Sequence, residues 1–320
     1  MEFRKLIKFG DSSFVISLPK TWVEKNGLKK GDVVGVEIGV NNQLFVLPET
    51  KPNRELTETT INLDDVGASD NLKTLVISAY LQNFDTINVI GSNLLAMSSK
   101  IRNIFQSLAS IEIIEQSGKK ITARSFFDPK EISVATLVRR LEVMTRSILE
   151  DAKESLSVKS KIDLKNLYDY AYQKEEDVTR LSFLVFKLLR KAMIEPETAS
   201  HLKITVYDIF KYWRITKELE EIADHAKRIC RYMSEGDFKT KSVTLELLKI
   251  ALQHFDATMK AYHTVNRMDS IKYLQERVDI MKRCREYIIQ NTDLTTYLVV
   301  DKIRRISVFT GNIANLTIDG

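Results

Sequence analysis

Cysteine is almost missing from this chain. Two residues in 320, Cys230 and Cys284, cannot build a disulfide framework, so packing and not crosslinking must hold the fold. Both stand in helical-looking sequence and read as buried thiols, which points to a cytoplasmic protein. Proline is scarce as well: Pro19, Pro48, Pro52, Pro129 and Pro196, with none after. Of eleven glycines, only Gly236, Gly311 and Gly320 lie beyond Gly118. Both residue types interrupt helices, so roughly the last 190 residues read as long helices and the earlier part as strands, turns and short helices. No apolar run approaches the roughly 20 residues that span a bilayer, so no membrane insertion is expected. The start, MEFRKLIKFGDSS, lacks a basic stretch followed by an apolar core and does not read as a secretory leader.

Catalytic signatures are missing too. There is no P-loop and no glycine-rich dinucleotide turn after a strand. The four histidines, His201, His225, His254 and His263, include no pair spaced for a shared metal, and the cysteines form no zinc motif. Nothing favours an enzyme. Net charge is +5, which permits a polyanionic partner without requiring one.

Three parts are predicted, giving an α+β, predominantly helical protein. In residues 1–50, Phe3–Phe9 and Phe14–Leu18 read as strands around a Gly10-Asp11 turn. Pro19 opens a short helix to about Asn26, with Gly27 beyond it. Val33–Ile38 and Leu44–Leu47 form a hairpin, and Pro48 to Arg54 is a linker. Residues 55–127 read as a small domain of order β-α-β-α-β-β, an open sheet with helices on one face. Gly91-Ser92, before its second helix, could hold an anion at a helix N-terminus, or be a plain turn with a serine cap.

Residues 129–320 read as six helices, near 131–158, 164–195, 198–234, 243–266, 270–291 and 294–316, with Asp163 and Asp293 as caps. Helices of this length with short connections pack as antiparallel bundles. An internal repeat divides them into two groups of three, about 131–234 and 243–317. KELEEIADHAKRIC (217–230) aligns with DKIRRISVFTGNIA (301–314). Leu219, Ile222 and Ile229 then fall on Ile303, Ile306 and Ile313: the apolar skeleton repeats and the charges change.

Residues 3–48, RKLIKFGDSSFVISLPKTWVEKNGLKKGDVVGVEIGVNNQLFVLP with its leading Phe3, run strand, glycine turn, strand, LPK helix, GLKKGD turn, strand, hairpin, strand. This order resembles the AbrB/MazE (SpoVT-AbrB) family of swapped-hairpin transcription factors. The resemblance implies a homodimer with interleaved strands, and DNA as partner. A segment this short cannot bury a core alone, so dimerisation also makes physical sense. The positions matching that family's DNA-facing basic residues are Arg4, Lys5, Lys8, Lys20 and Lys25, which would neutralise phosphates. Ser12 and Ser13 could add phosphate hydrogen bonds. Asp11 departs from the family, whose turn often carries arginine after the glycine.

ELEEIADHAKRI (218–229) resembles the signature of PhoU phosphate-uptake regulators, with Glu220, Asp224, His225 and Ala226 at the matching positions. Glu220 and Asp224 project side by side on a helix. The resemblance implies oxygen-ligated divalent or ferric metal ions there, with Glu175 and Glu176 as further carboxylates. Lys217, Lys227 and Arg228 stand close enough to balance the same carboxylates instead. In the second repeat Glu220 becomes Arg304 and Asp224 becomes Val308, so any metal is expected in the first bundle only.

Joined, the two likenesses resemble archaeal regulators and imply a DNA-binding regulator of phosphate uptake, a repressor. The alternative is an accessory protein that docks on a phosphate transporter ATPase or regulatory protein and uses its N-terminal domain only to dimerise. A toxin-neutralising role is a third option, opposed by the long helical module.

Overall fold

A computed structural model describes residues 2–39, 42–48, 56–66, 69–236, 241–290 and 293–319. The chain divides into two compact units, Met1–Glu55 and Leu56–Gly320. The predicted linker and the tip of the second hairpin, Val40-Asn41, fall largely outside the described residues.

In the first unit, β1 (Ile7–Phe9) pairs antiparallel with β2 (Ser13–Val15) across the Gly10 turn. Gly10 has φ +69°, a conformation that a β-carbon disfavours. Both strands are shorter than predicted: residues 2–6 and 16–19 take no regular structure. Helix α1 (Lys20–Lys25) follows Pro19, whose fixed φ suits a helix entry, and Gly27 turns the chain out at φ +64°. β3 (Val34–Ile38) and β4 (Leu44–Pro48) form the second hairpin. The two hairpins are separate two-stranded sheets.

The second unit opens with a four-stranded sheet in the order β5-β6-β8-β7. β5 (Glu58–Asn62) and β6 (Thr86–Ile90) run parallel, joined through the short α2 (Leu63–Val66) and α3 (Ser69–Leu81). After α4 (Leu94–Gln106) the hairpin β7 (Ile111–Gln116) and β8 (Lys120–Ser125) completes the sheet. Ile87, Val89, Ile121 and Ala123 of the sheet meet Leu72, Val76 and Tyr80 of α3 and Ile101 and Phe105 of α4 in one core. The Gly91-Ser92 turn is already occupied from within. Asp64 on α2 accepts from the Ser92 amide (3.0 Å) and hydroxyl (2.6 Å), and these bonds hold its carboxyl below the usual range. Ser92 is not the cap either; Asn93 takes that position without a side-chain bond.

The remaining helices are α5 (Val134–Ser155), α6 (Lys161–Ile194), α7 (Pro196–Leu202), α8 (Val206–Glu235), α9 (Lys241–Thr264), α10 (Arg267–Gln290) and α11 (Leu294–Asp319). The helix expected over 198–234 is two. Lys203 adopts a left-handed conformation (φ 54°), Ile204 buries its side chain, and Thr205 starts α8 in a capping box with Asp208. That local set of bonds outweighs the continuing helical periodicity. Asp163 is not a cap; Ser160 accepts from the Asp163 amide and starts α6 a turn early. Asp293 does cap α11, accepting from the Thr296 amide at 2.8 Å.

Helices α5, α6 and α8 form one three-helix bundle and α9, α10 and α11 another. The bundles join where α8 packs on α11, the two repeat helices, and share a single core. The aligned residues Leu219, Ile222, Ile229, Ile303, Ile306 and Ile313 are all fully buried. Truncating any one to alanine should cost about 2–5 kcal/mol. Cys230 and Cys284 are free and buried, and burial pushes both thiols up to about 12.

The sheet is tied to the first bundle by one buried lysine. Lys187, on α6, donates from Nζ to Ser125 Oγ at 2.9 Å and lies 4.2 Å from the centre of the Tyr80 ring. Asn83 donates to the Lys187 carbonyl oxygen at 3.2 Å. Phe183, one turn earlier on α6, packs on the sheet's core.

Candidate nucleic-acid interface and the carboxylate face

The first unit places every candidate DNA contact at the surface. Arg4 and Lys5 precede β1, Lys8 lies on β1 opposite Phe14, Ser12 sits in the turn, and Ser13 faces Phe9 on β2. Strand alternation puts Lys8 and Phe14 on one side of the hairpin and Ile7, Phe9, Ser13 and Val15 on the other. Lys20 and Lys25 open and close α1. At about 100° per residue they point some 140° apart, so no single helix face presents both. Two of the five cations already have partners: Arg4 pairs with Glu2, and Lys20 with Glu24 at 3.6 Å. Asp11, in the turn, is exposed.

The apolar side chains of this unit are just as exposed. Phe9 is 71% exposed, Phe14 63%, Val36 63% and Ile38 68%, and among the unit's described residues only Gly39 is buried. So many large apolar groups exposed together mark a surface that another surface covers.

The carboxylates of the first bundle are held differently from what a metal cluster requires. Glu175 on α6 and Asp224 on α8 are bridged by Lys227 Nζ, at 2.9 Å and 3.0 Å. The other oxygen of Asp224 accepts from Arg228 Nε at 2.7 Å. Glu220 shares Lys217 with Glu221, each at 3.0 Å. Glu176 holds the Tyr172 hydroxyl above its ordinary pKa, by its charge and by a hydrogen bond. Burial works against the Lys227 ammonium, but its bonds to Glu175 and Asp224 outweigh that and hold its pKa above the ordinary value. The structure thus brings Glu175 and Asp224 together around a lysine, and leaves Glu220 and Glu176 with partners of their own. This donor set does not fit a bound metal, because the position between the two carboxylates is taken by a charged ammonium. Among the described residues no three histidine, cysteine or acidic side chains converge as metal ligands.

His225 follows Asp224 into the interface between the bundles. It is buried, 5.4 Å from the Phe309 ring on α11, with neither ring nitrogen hydrogen-bonded. Burial lowers its pKa to about 4, so it packs as a neutral ring. Glu218 is buried there as well, accepting from Asn312 of α11 (3.0 Å) and Arg214 (3.2 Å), and burial raises its carboxyl. The contact of Glu218 with α11 depends on how the two bundles meet. His254 is buried and donates from Nε2 to the Tyr273 carbonyl oxygen (2.9 Å), and His263 meets Glu142 at 2.6 Å. Trp213 packs on Phe186, ring centres 4.5 Å apart.

These features define the class: a hairpin unit with no core of its own, joined in one chain to a sheet domain and paired helical bundles. Residues 7–54 match the family described as antidote-toxin recognition MazE, bacterial antitoxin. Residues 138–233, spanning most of the first bundle, match the PhoU domain. The chain therefore carries a MazE/AbrB-type domain fused to a PhoU domain, both from regulatory, non-enzymatic families. No curated protein matches the chain. Among the described residues no helix is long and apolar enough to cross a membrane.

Proposed function

We propose that this protein is a cytoplasmic, DNA-binding repressor of phosphate-uptake genes. Two copies of the N-terminal unit interleave their hairpins into one domain that grips promoter DNA. The PhoU domain reads phosphate status, directly or through a transporter or regulatory partner. The observation that carries this reading is the union in one chain of a MazE/AbrB-type domain with a PhoU domain. The exposed Phe9, Phe14, Val36 and Ile38 support the dimer: they are a core waiting for its other half. Arg4, Lys5, Lys8, Lys20 and Lys25 supply the charge for phosphates, with Ser12 and Ser13 as hydrogen-bond donors.

One observation favours the accessory-protein reading. Arg4 and Lys20 already have carboxylate partners, and Asp11 adds negative charge at the turn. A salt titration of binding to the chain's own upstream DNA separates the two. The repressor binds at low salt and weakens as salt rises. Replacing Arg4 and Lys5 by alanine removes four cations per dimer and makes the slope of log affinity on log salt shallower by up to about 3.6. No binding at low salt leaves the accessory protein.

A further inference from the structure

The second bundle has a basic cavity where the first has carboxylates. It lies between α10 and α11, measures about 740 Å³, and is lined by Arg277, Lys282, Arg285 and Arg304. That volume falls in the range of small-molecule sites, roughly 300–1,000 Å³. Its acidic lining residue, Asp301, is already engaged by Arg304 (2.8 Å), Lys302 (3.1 Å) and Arg305 (3.1 Å). The remaining walls are apolar, with Val278, Ile289 and the Tyr297 ring all well exposed to the cavity and solvent.

Two details set this cavity apart from an ordinary charged surface. Arg304 is the repeat counterpart of Glu220, so the bundle has inverted its charge at an equivalent position. Arg277 is laid flat across Gly311 of α11. A β-carbon there would overlap Arg277 Cδ and come within 3.0 Å of Nε. The Arg277 Nε is buried there without a hydrogen-bond partner. Guanidinium groups suit phosphate oxygens because their N–H donors form a planar fork. Four cations, three on α10 and one on α11, match more than one phosphate, and an exposed tyrosine beside aliphatic side chains matches a flat ring.

We infer that this cavity binds a nucleoside diphosphate, its phosphates on Arg277, Arg304, Arg285 and Lys282 and its base against Tyr297 and Ile289. An acidic helix from another protein is the poorer fit: it would need a long open groove, and the cations here line a single cavity between two helices.

Calorimetric titration of the full chain with ADP and with GDP tests this, with pyrophosphate and adenosine as partial ligands. No DNA is present, so the result is independent of promoter binding. The expected result is saturable binding of at least one nucleotide at one site per chain, with pyrophosphate and adenosine each weaker by about tenfold or more. Arg304→Gln and Gly311→Ala should each weaken nucleotide binding by roughly tenfold or more, the second by displacing Arg277 without removing charge. Circular dichroism melting checks that each variant folds. If either does not, Lys282→Gln, at an exposed position, takes its place. Three results would overturn the inference: neither nucleotide binds, pyrophosphate binds as tightly as the nucleotide, or folded variants bind like the parent.

Discussion

Lys187 provides a stability test that depends on one buried charge. Its ammonium sits between Ser125, Tyr80 and Phe127, where the sheet meets α6. Burial lowers its pKa to about 8; the charge of Asp85 pulls it up and that of Lys191 pulls it further down. In the unfolded chain the group keeps its ordinary value of 10.5. Folding therefore disfavours the charged form, and the unfolded state binds more protons throughout the interval between these values. Stability must rise with pH from about 8 towards 10.5. At 1.36 kcal/mol per pKa unit, the rise from pH 7 to pH 10 is about 2.5 kcal/mol from this one residue. Lys187→Met keeps an unbranched apolar stem, one atom shorter, and cannot titrate. Urea unfolding of both proteins at pH 7 and pH 10 isolates the effect, because every other group cancels in the difference. The parent should gain about 2.5 kcal/mol on the variant between the two pH values. A difference that stays constant with pH would show that the ammonium is not desolvated, and the account of how the sheet is joined to the bundle would fail.

Other tests follow from the same reasoning. His225 is neutral in the fold, with a pKa near 4 set by burial, while Asp224, Glu221, Lys302 and Arg228 contribute opposing charges around it. The unfolded histidine takes up its proton near 6.5, so stability is complete above that pH and lost as pH falls towards 4. His225→Leu should flatten that part of a pH–melting curve, and an unchanged curve would refute the assignment. Because Lys227 fills the space between Glu175 and Asp224, Asp224→Ala should leave the metal content of purified protein unchanged by elemental analysis. A stoichiometric fall would restore the metal cluster that the PhoU resemblance implies. Ile38→Asp, at an exposed apolar position of β3, should turn a dimer into monomers in sedimentation velocity. A variant that stays dimeric would place the contact elsewhere.

The secondary structure of the helical part could be read from the sequence because its rules are local. Asp293 as a cap, the end of α8 before Gly236 and the spacing of α9 to α11 all follow from signals within a few residues. Local rules failed where two of them competed. The apolar period runs on through 198–234, but Thr205 and Asp208 form a capping box that breaks the helix at Lys203. At Gly91-Ser92 the sequence offered an anion site at a helix N-terminus or a plain turn with a serine cap, and a residue 28 positions away, Asp64, takes the Ser92 amide and hydroxyl. The candidate DNA contacts Arg4, Lys5, Lys8, Ser12, Ser13, Lys20 and Lys25 all lie exposed, because this unit by itself buries almost nothing.

The sequence by itself determined that this chain has a hairpin segment too small for its own core and a helical module built from a repeat. Periodicity and the distribution of proline and glycine are enough to specify that much. Only the tertiary structure decided what the charges do. Glu175, Asp224 and Lys227 come from two helices, and only their packing shows that a lysine stands between the carboxylates. Arg277 and Arg304 come from two others, and only the close passage of Arg277 over Gly311 shows that they line a common cavity. The physical reason is range: backbone and apolar preferences act between near neighbours in sequence. A side-chain charge takes its meaning from whatever lies within a few ångströms, and the fold alone sets that.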